Sequence, residues 1–346
     1  MTTAISTIFL LIIYIGHQHN FGNDSSLPVD YEQDGLADQI VIKVSHVVSE
    51  NTPKGLAFSK FAELIEEKTD GKIRVEIYPN SILYSDEDEI SALLNNDIQM
   101  IAPSFSKMTE RIPEWQVLDL PYLLRDYEDV KNALTGNASK KLLHLLEEKE
   151  QMKGMAFWSN GFKQMTTNRH PIKDVRDFTG LQVRTMSSDM LQKQFTLVNA
   201  GPVETSFDKV YSILEQKEID AQENTLSNIY SKGFYKVQKY MTISNHGFLG
   251  YAVIMNVDFW NSLSTDLQKK VQAAIDETTL WNLQQSEIMN NADLQKIKTQ
   301  GNMEIYTLTE EQQQEWINTF RPLYKFYSSE INSHLIEEIQ LEIQSK

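Results

Sequence analysis

Apolar and polar residues trade places along this chain in two rhythms. In "IVIKVS" (Ile40–Ser45), "KIRVEIYP" and "LQVRTM" they alternate one for one, the period of a β-strand. Between the first two, Leu56, Phe61, Leu64 and Ile65 are expected to share one helical face. Asn51 or Thr52 is the expected cap of that helix, with Pro53 in its first turn and Gly71 as its C-cap. "SDEDEISALLNN" reads as a short helix with acidic residues where the dipole favours them, and "IQMIAP" as a third strand. The β-α-β-α-β order predicts a parallel sheet with helices on its faces.

Farther on, "AFWSN" and "LQVRTM" bracket "GFKQMTTNRHPIKDVRDFTG", whose turn residues predict a crossover. "DKVYSILEQK" reads as a helix, and "GYAVIMN" and "MEIYTL" as strands. One long helix is expected from Thr265 to Gln300, opened by a Ser264 cap, and Thr309-x-x-Gln312 is a capping box for another. The pattern is that of an α/β chain with two sheet-centred lobes. Ligands of such folds sit outside the carboxyl ends of the strands. Arg184 lies near one such end, and Ser104 and Ser106 near another. By periodicity alone, the expectation for Arg184 is a wet strand face, since arginines are mostly exposed.

Composition narrows the function. The 346 residues are 41% hydrophobic and 10% aromatic, enough for a real core. A net charge of −16 disfavours nucleic acid and anionic membrane surfaces as partners. It still allows a small anionic ligand, because exposed charges are screened beyond roughly 8 Å. With no cysteine there is no disulfide, thiol nucleophile, Cys-based metal site or lipid anchor on an N-terminal cysteine. The apolar run from about Ile5 to Ile15 has the length of a signal-peptide core and is short of the roughly 20 residues of a comfortable span. No basic residue precedes it and no small-x-small site follows. Residues 1–37 are therefore expected to be a signal or uncleaved anchor plus a polar linker, placing the folded part outside the cytoplasm.

Enzyme motifs are missing: no GxSxG, P-loop, GxGxxG, HExxH or calcium loop. Of seven histidines, His46 and His246 are the cleft candidates, with core hydrogen bonding as the competing reading. No carboxylate pair suggests separated acid and base roles. In "DAQENTLSNIYSKGFYKVQKY", Asn224 could stabilise a turn or aim its amide at a ligand oxygen.

That segment, with "SHVVSENTPKG", "YPNSILYSDEDEISALLNNDIQMIAPSFSKM", "WSNGFKQMTTNRHPI", "GLQVRTM" and "SNHGFLGYAVIMN", closely resembles the dicarboxylate-binding receptors of TRAP transporters, the DctP family, over about residues 38–325. "YEQDGLADQIVIKVSHVV" resembles the Gram-positive branch that works beside a membrane sensor kinase. The resemblance implies a two-lobed periplasmic-binding-protein-like α/β fold with chain crossings at the hinge and a long helix spanning both lobes. Lobe I would hold residues 38–160 and 251–288, and lobe II 161–250 and 289–346.

The resemblance also implies a site. Arg184 in "GLQVR" would pair with a ligand carboxylate, and Lys163 after "NGF" would be a second cation. Asn224 in "AQEN", Phe207 at the pocket wall and Ser104 would complete it, with His46 as a further ligand-binding candidate. Ser159 stands where relatives often have Asp, and Ala221 replaces their usual Gly. The implied function is capture of C4-dicarboxylates such as succinate, fumarate or malate, or of another organic acid such as a sugar acid or 2-oxoacid. No catalysis, cofactor, metal or nucleic acid is expected. A monomer is expected, whose partner is a TRAP membrane permease or a sensor kinase ectodomain.

Overall fold

The computed structural model describes residues 39–300 and 302–344, so the expected signal or anchor segment lies outside the described residues. Strand β1 (Ile40–Ser45) lies parallel between β2 (Ile73–Tyr78) and β3 (Met100–Ile101), as the β-α-β-α-β pattern requires. The connecting helix Pro53–Lys68 is capped by Thr52, whose hydroxyl accepts from Gly55 N at 3.2 Å. It buries Ala57, Phe58, Phe61, Leu64 and Ile65, whereas Leu56 is 37% exposed. At about 100° per residue, Leu56 points roughly 140° away from Phe61, so it cannot share that face. The left-handed turn that ends the helix starts one residue earlier than expected, at Asp70 (φ 51°), and continues through Gly71 (φ 75°), whose N–H closes onto Glu66 O at 2.9 Å.

Two long strands dominate the middle. Strand β4 (Met152–Thr167) pairs antiparallel along its length with β8 (Tyr240–Asn256). The crossover expected to begin at Gly161 therefore starts only after Thr167. From Met155 to Thr167 every residue of β4 is buried, so no alternation marks it as a strand. The ladder is irregular between Gly154 and Ala156, Ser159 and Gly161, and Lys163 and Met165. Beyond it, β5 (Gln182–Thr185) lies parallel between β6 (Gly201–Glu204) and β7 (Ala221–Thr225), with β7 antiparallel to β4. Strand β9 (Glu304–Thr307) pairs with β8.

The strand order is β2-β1-β3-β8-β4-β7-β5-β6 in one nine-stranded sheet. What the pattern suggested as two sheets is thus one sheet with a β1–β3 half and a β5–β7 half, joined through β4 and β8. The helix Thr265–Gln300 runs 36 residues along both halves and packs on β4. Its buried amides hold β4 where the ladder is irregular. Asn282 accepts from Ser159 N (2.7 Å) and donates to Ser159 O (3.1 Å), and Asn290 donates to Asn160 O (2.7 Å). Gly161 is needed here: its φ is +130°, and a Cβ would lie 2.6 Å from the Asn290 amide. The Thr309–Gln312 capping box is present and opens the helix Glu310–Tyr327.

Candidate ligand-binding site

The carboxyl ends of strands from both halves meet around one cavity with about 390 Å³ of empty space, counting its mouth. Arg184 comes from β5, Asn224 from β7 and Ser104 from the turn after β3, where it bridges Tyr251 of β8. Phe207 closes one wall. Four of the six residues singled out from the sequence are therefore brought together.

Arg184 is buried, and its Nε and Nη2 donate to Thr205 O at 2.9 and 2.7 Å. These bonds fix the guanidinium and leave its other edge to the cavity. Burial pushes the group down to about 10, against the pull of Asp86 and Glu223, so it remains cationic at neutral pH. The Asn224 carbonyl oxygen accepts from Asn228 Nδ2 (2.8 Å) and Thr225 N (3.1 Å), which leaves the amide NH₂ as a donor at the cavity.

Lys163 and His46 are not among the lining residues. Lys163 is buried, but its Nζ lies 2.6 Å from Glu223 Oε1, while Glu223 Oε2 stands 2.8 Å from His246 Nε2. Burial alone would raise the Glu223 carboxyl; Lys163 and His246 instead hold it down at about 2. The Lys163 charge is thus neutralised inside the protein. His246 serves this network as a core histidine, its Nδ1 2.7 Å from Ser244 Oγ. His46 stacks on Phe58 behind the pocket wall (centroids 5.4 Å apart), and burial pushes it down to about 3, so the ring is neutral.

The second cation at the cavity is Lys54, which sequence reasoning passed over as a residue of a helical first turn. It is buried, donates to Ala102 O at 2.9 Å and lies 3.9 Å from the centre of the Tyr251 ring. Burial pushes its ammonium down to about 8, while Glu89 and Asp86 pull it back up. One signal in the sequence could have found it: a helix N-terminus disfavours a cation, so a lysine directly after the Pro53 start needs another reason to be there.

The rim ties the halves together. Asp86 pairs with Lys107 at 3.0 Å and accepts from Phe207 N at 3.2 Å, and Glu87 meets Lys209 at 2.8 Å. Below it, Ser106 and Ser188 both donate to the buried Asp119, at 2.6 and 2.7 Å. The two departures from the family pattern are absorbed locally. Ser159 Oγ lies 2.7 Å from Ser286 Oγ of the long helix, and Ala221 is within β7, so no turn is at stake. Among the described residues no cluster could hold a metal ion, and no helix is long and apolar enough to cross a membrane.

The model for the bacterial extracellular solute-binding protein family 7, DctP, matches residues 44–330. The chain is 47% identical over 327 residues to the C4-dicarboxylate-binding protein DctB of Bacillus subtilis (strain 168), covering 94% of this chain and 93% of that protein. A TRAP periplasmic solute binding protein from Shewanella oneidensis with bound succinate superposes with a TM-score of 0.85 at 38% identity, over 88% of this chain and 100% of that one. One from Pseudomonas aeruginosa PAO1 with bound L-malate gives 0.81 at 35%, over 83% and 100%. A cavity lined by fixed donors from both halves of a sheet, and a family match running through all of those donors, lead to one assignment: this chain belongs to the DctP family of extracellular solute-binding proteins.

Proposed function

We propose that this protein captures C4-dicarboxylates such as succinate, fumarate or malate outside the cytoplasm, between two lobes that close on the ligand. The observation that carries this reading is the placement of two buried cations, Lys54 from the β1–β3 half and Arg184 from the β5–β7 half, on one cavity. A ligand with two carboxylates satisfies both; a monoacid leaves one buried charge unpaired. Asn224, Ser104 and Tyr251 supply neutral hydrogen bonds to the remaining oxygens. The ligands named for the relatives, C4-dicarboxylates, succinate and L-malate, support the same class. Micromolar affinity needs about 8 kcal/mol, which a ligand of eight or nine heavy atoms supplies below the ceiling of about 1.5 kcal/mol per atom.

A ligand that bridges both halves binds the closed form better and shifts the hinge toward it. We place the hinge where β4 and β8 pass between the halves, at 160–161 and 250–251, which keeps the lobe boundaries expected from the sequence. The closed monomer is then the form delivered to its membrane partner, a TRAP permease or a sensor kinase ectodomain. It acts as a receptor, without chemistry on the ligand.

Calorimetry with succinate, fumarate and malate is expected to show saturable binding, with sugar acids and 2-oxoacids weaker in competition. No heat and no melting shift at millimolar dicarboxylate would discard the proposal. Lys54→Met is expected to weaken succinate binding by about 30-fold, the loss of one charge-assisted hydrogen bond of about 2 kcal/mol, and to leave butyrate affinity nearly unchanged. Equal losses for the diacid and the monoacid would remove Lys54 from the second-carboxylate role.

A further inference from the structure

Beyond its pull on Lys54, Glu89 stands out by its own position. It begins the helix Glu89–Leu94, is fully buried, and lines the cavity beside Lys54. Neither of its carboxyl oxygens has a hydrogen-bond partner, and Lys107 Nζ stands 3.7 Å from Oε1. A carboxylate here would face an incoming dianion with like charge and no hydrogen bonds to stabilise it. A neutral carboxyl would offer an O–H to the same ligand oxygen.

Four groups act on it electrostatically: Lys54 from the helix Pro53–Lys68, Lys107 from the turn Phe105–Met108, Asp86 from the preceding loop, and Tyr251 from β8. Burial pushes the Glu89 carboxyl up to about 7; Lys107 and Lys54 oppose this and Asp86 adds to it. Resting on the dicarboxylate reading of the cavity, we propose that Glu89 binds the ligand as the neutral acid, donating its O–H to a ligand carboxylate, so that each dicarboxylate is captured with one proton. The proton comes from solvent and stays on Glu89, and no bond of the ligand changes.

The sign follows from the raised carboxyl. Below about pH 7 Glu89 is already protonated, so binding takes up little and is tightest. Above it the free protein must gain the proton on binding. Uptake then approaches one per ligand, and affinity falls by up to about tenfold per pH unit.

The test is succinate calorimetry in buffers of different ionisation heats, from about pH 6 to 8.5, on the wild type and on Glu89→Gln. Glutamine keeps the shape and an N–H donor but cannot titrate. In the wild type Glu89 is expected to account for close to one proton of uptake at pH 8 and for about fivefold weaker binding at pH 8 than at pH 7. E89Q is expected to lose the Glu89 share of the uptake, keeping only what Lys54 takes up as its own ammonium, held at about 8, is recharged by the ligand, and to bind more tightly than the wild type at pH 8. Lys54→Met, which retains Glu89 and removes the lysine's own titration, is expected to keep the Glu89 uptake, moved to higher pH because Lys54 no longer opposes the raised carboxyl, even as it binds more weakly. No uptake by the wild type, the same uptake in E89Q, or its loss in K54M would each overturn the proposal. A wild type that binds no dicarboxylate at any pH would instead sink the functional reading on which it rests.

Discussion

Arg184→Met is expected to weaken succinate binding by hundreds- to thousands-fold while the protein stays folded. The guanidinium is buried and held by two hydrogen bonds to Thr205 O, so its orientation is set before ligand arrives. Removing it leaves a desolvated ligand carboxylate unpaired, a cost of about 3–5 kcal/mol. Arg184→Lys should recover only part of this, because a point charge cannot both hold Thr205 O and fork onto a carboxylate. Calorimetry gives the affinities, and melting curves without ligand separate lost binding from lost folding. Micromolar binding by a folded R184M protein would mean that the cavity takes its ligand elsewhere.

Lys163→Met is expected to act on stability. The side chain is buried against Glu223, so its removal strands a carboxylate that His246 only partly supports. Breaking such a pair costs about 3–5 kcal/mol. The pH dependence has a definite sign. Glu223 is held down at about 2, well below its unfolded value of about 4.3. Its contribution is therefore fully present above that unfolded value and is lost as pH falls toward 2. In K163M the carboxyl rises, the contribution shrinks, and acid unfolding begins at higher pH. Adding Glu223→Gln, which removes the stranded charge, should recover part of the loss. Urea unfolding between pH 3 and 7 checks all three statements; unchanged stability in K163M would show that the pair contributes nothing.

These two variants mark the boundary of what could be read from the chain. Local pattern made several elements legible: β1, β2 and β5 alternate apolar and polar residue types, although Arg184 and Thr185 of β5 are buried, and the Thr309 capping box and the long helix were readable as well. The middle of β4 was not, because residues buried on both faces show no period. Leu56 misled because it is apolar and adjacent to the right face without belonging to it. At the site, Arg184, Asn224, Ser104 and Phe207 lie where strand ends and family pattern placed them. Lys54, not Lys163, lines the cavity for a non-local reason. Whether Lys163 faces a ligand depends on Glu223, 60 residues away on β7, and whether Lys54 is buried depends on Ala102 and Tyr251. Neither dependence leaves a trace in local spacing.

The two halves share the paired strands β4 and β8, whose ladder shifts register at three places and is clamped by the long helix at Ser159 and Asn160. Such a joint works as a leaf spring. On the proposed hinge, opening bends this ribbon where its register already shifts rather than parting one sheet from another. On the proposed closure, how long a guest stays is set at the rim, by the cross-cleft ties at Asp86 and Glu87, and by the guest's proposed grip on Lys54 and Arg184.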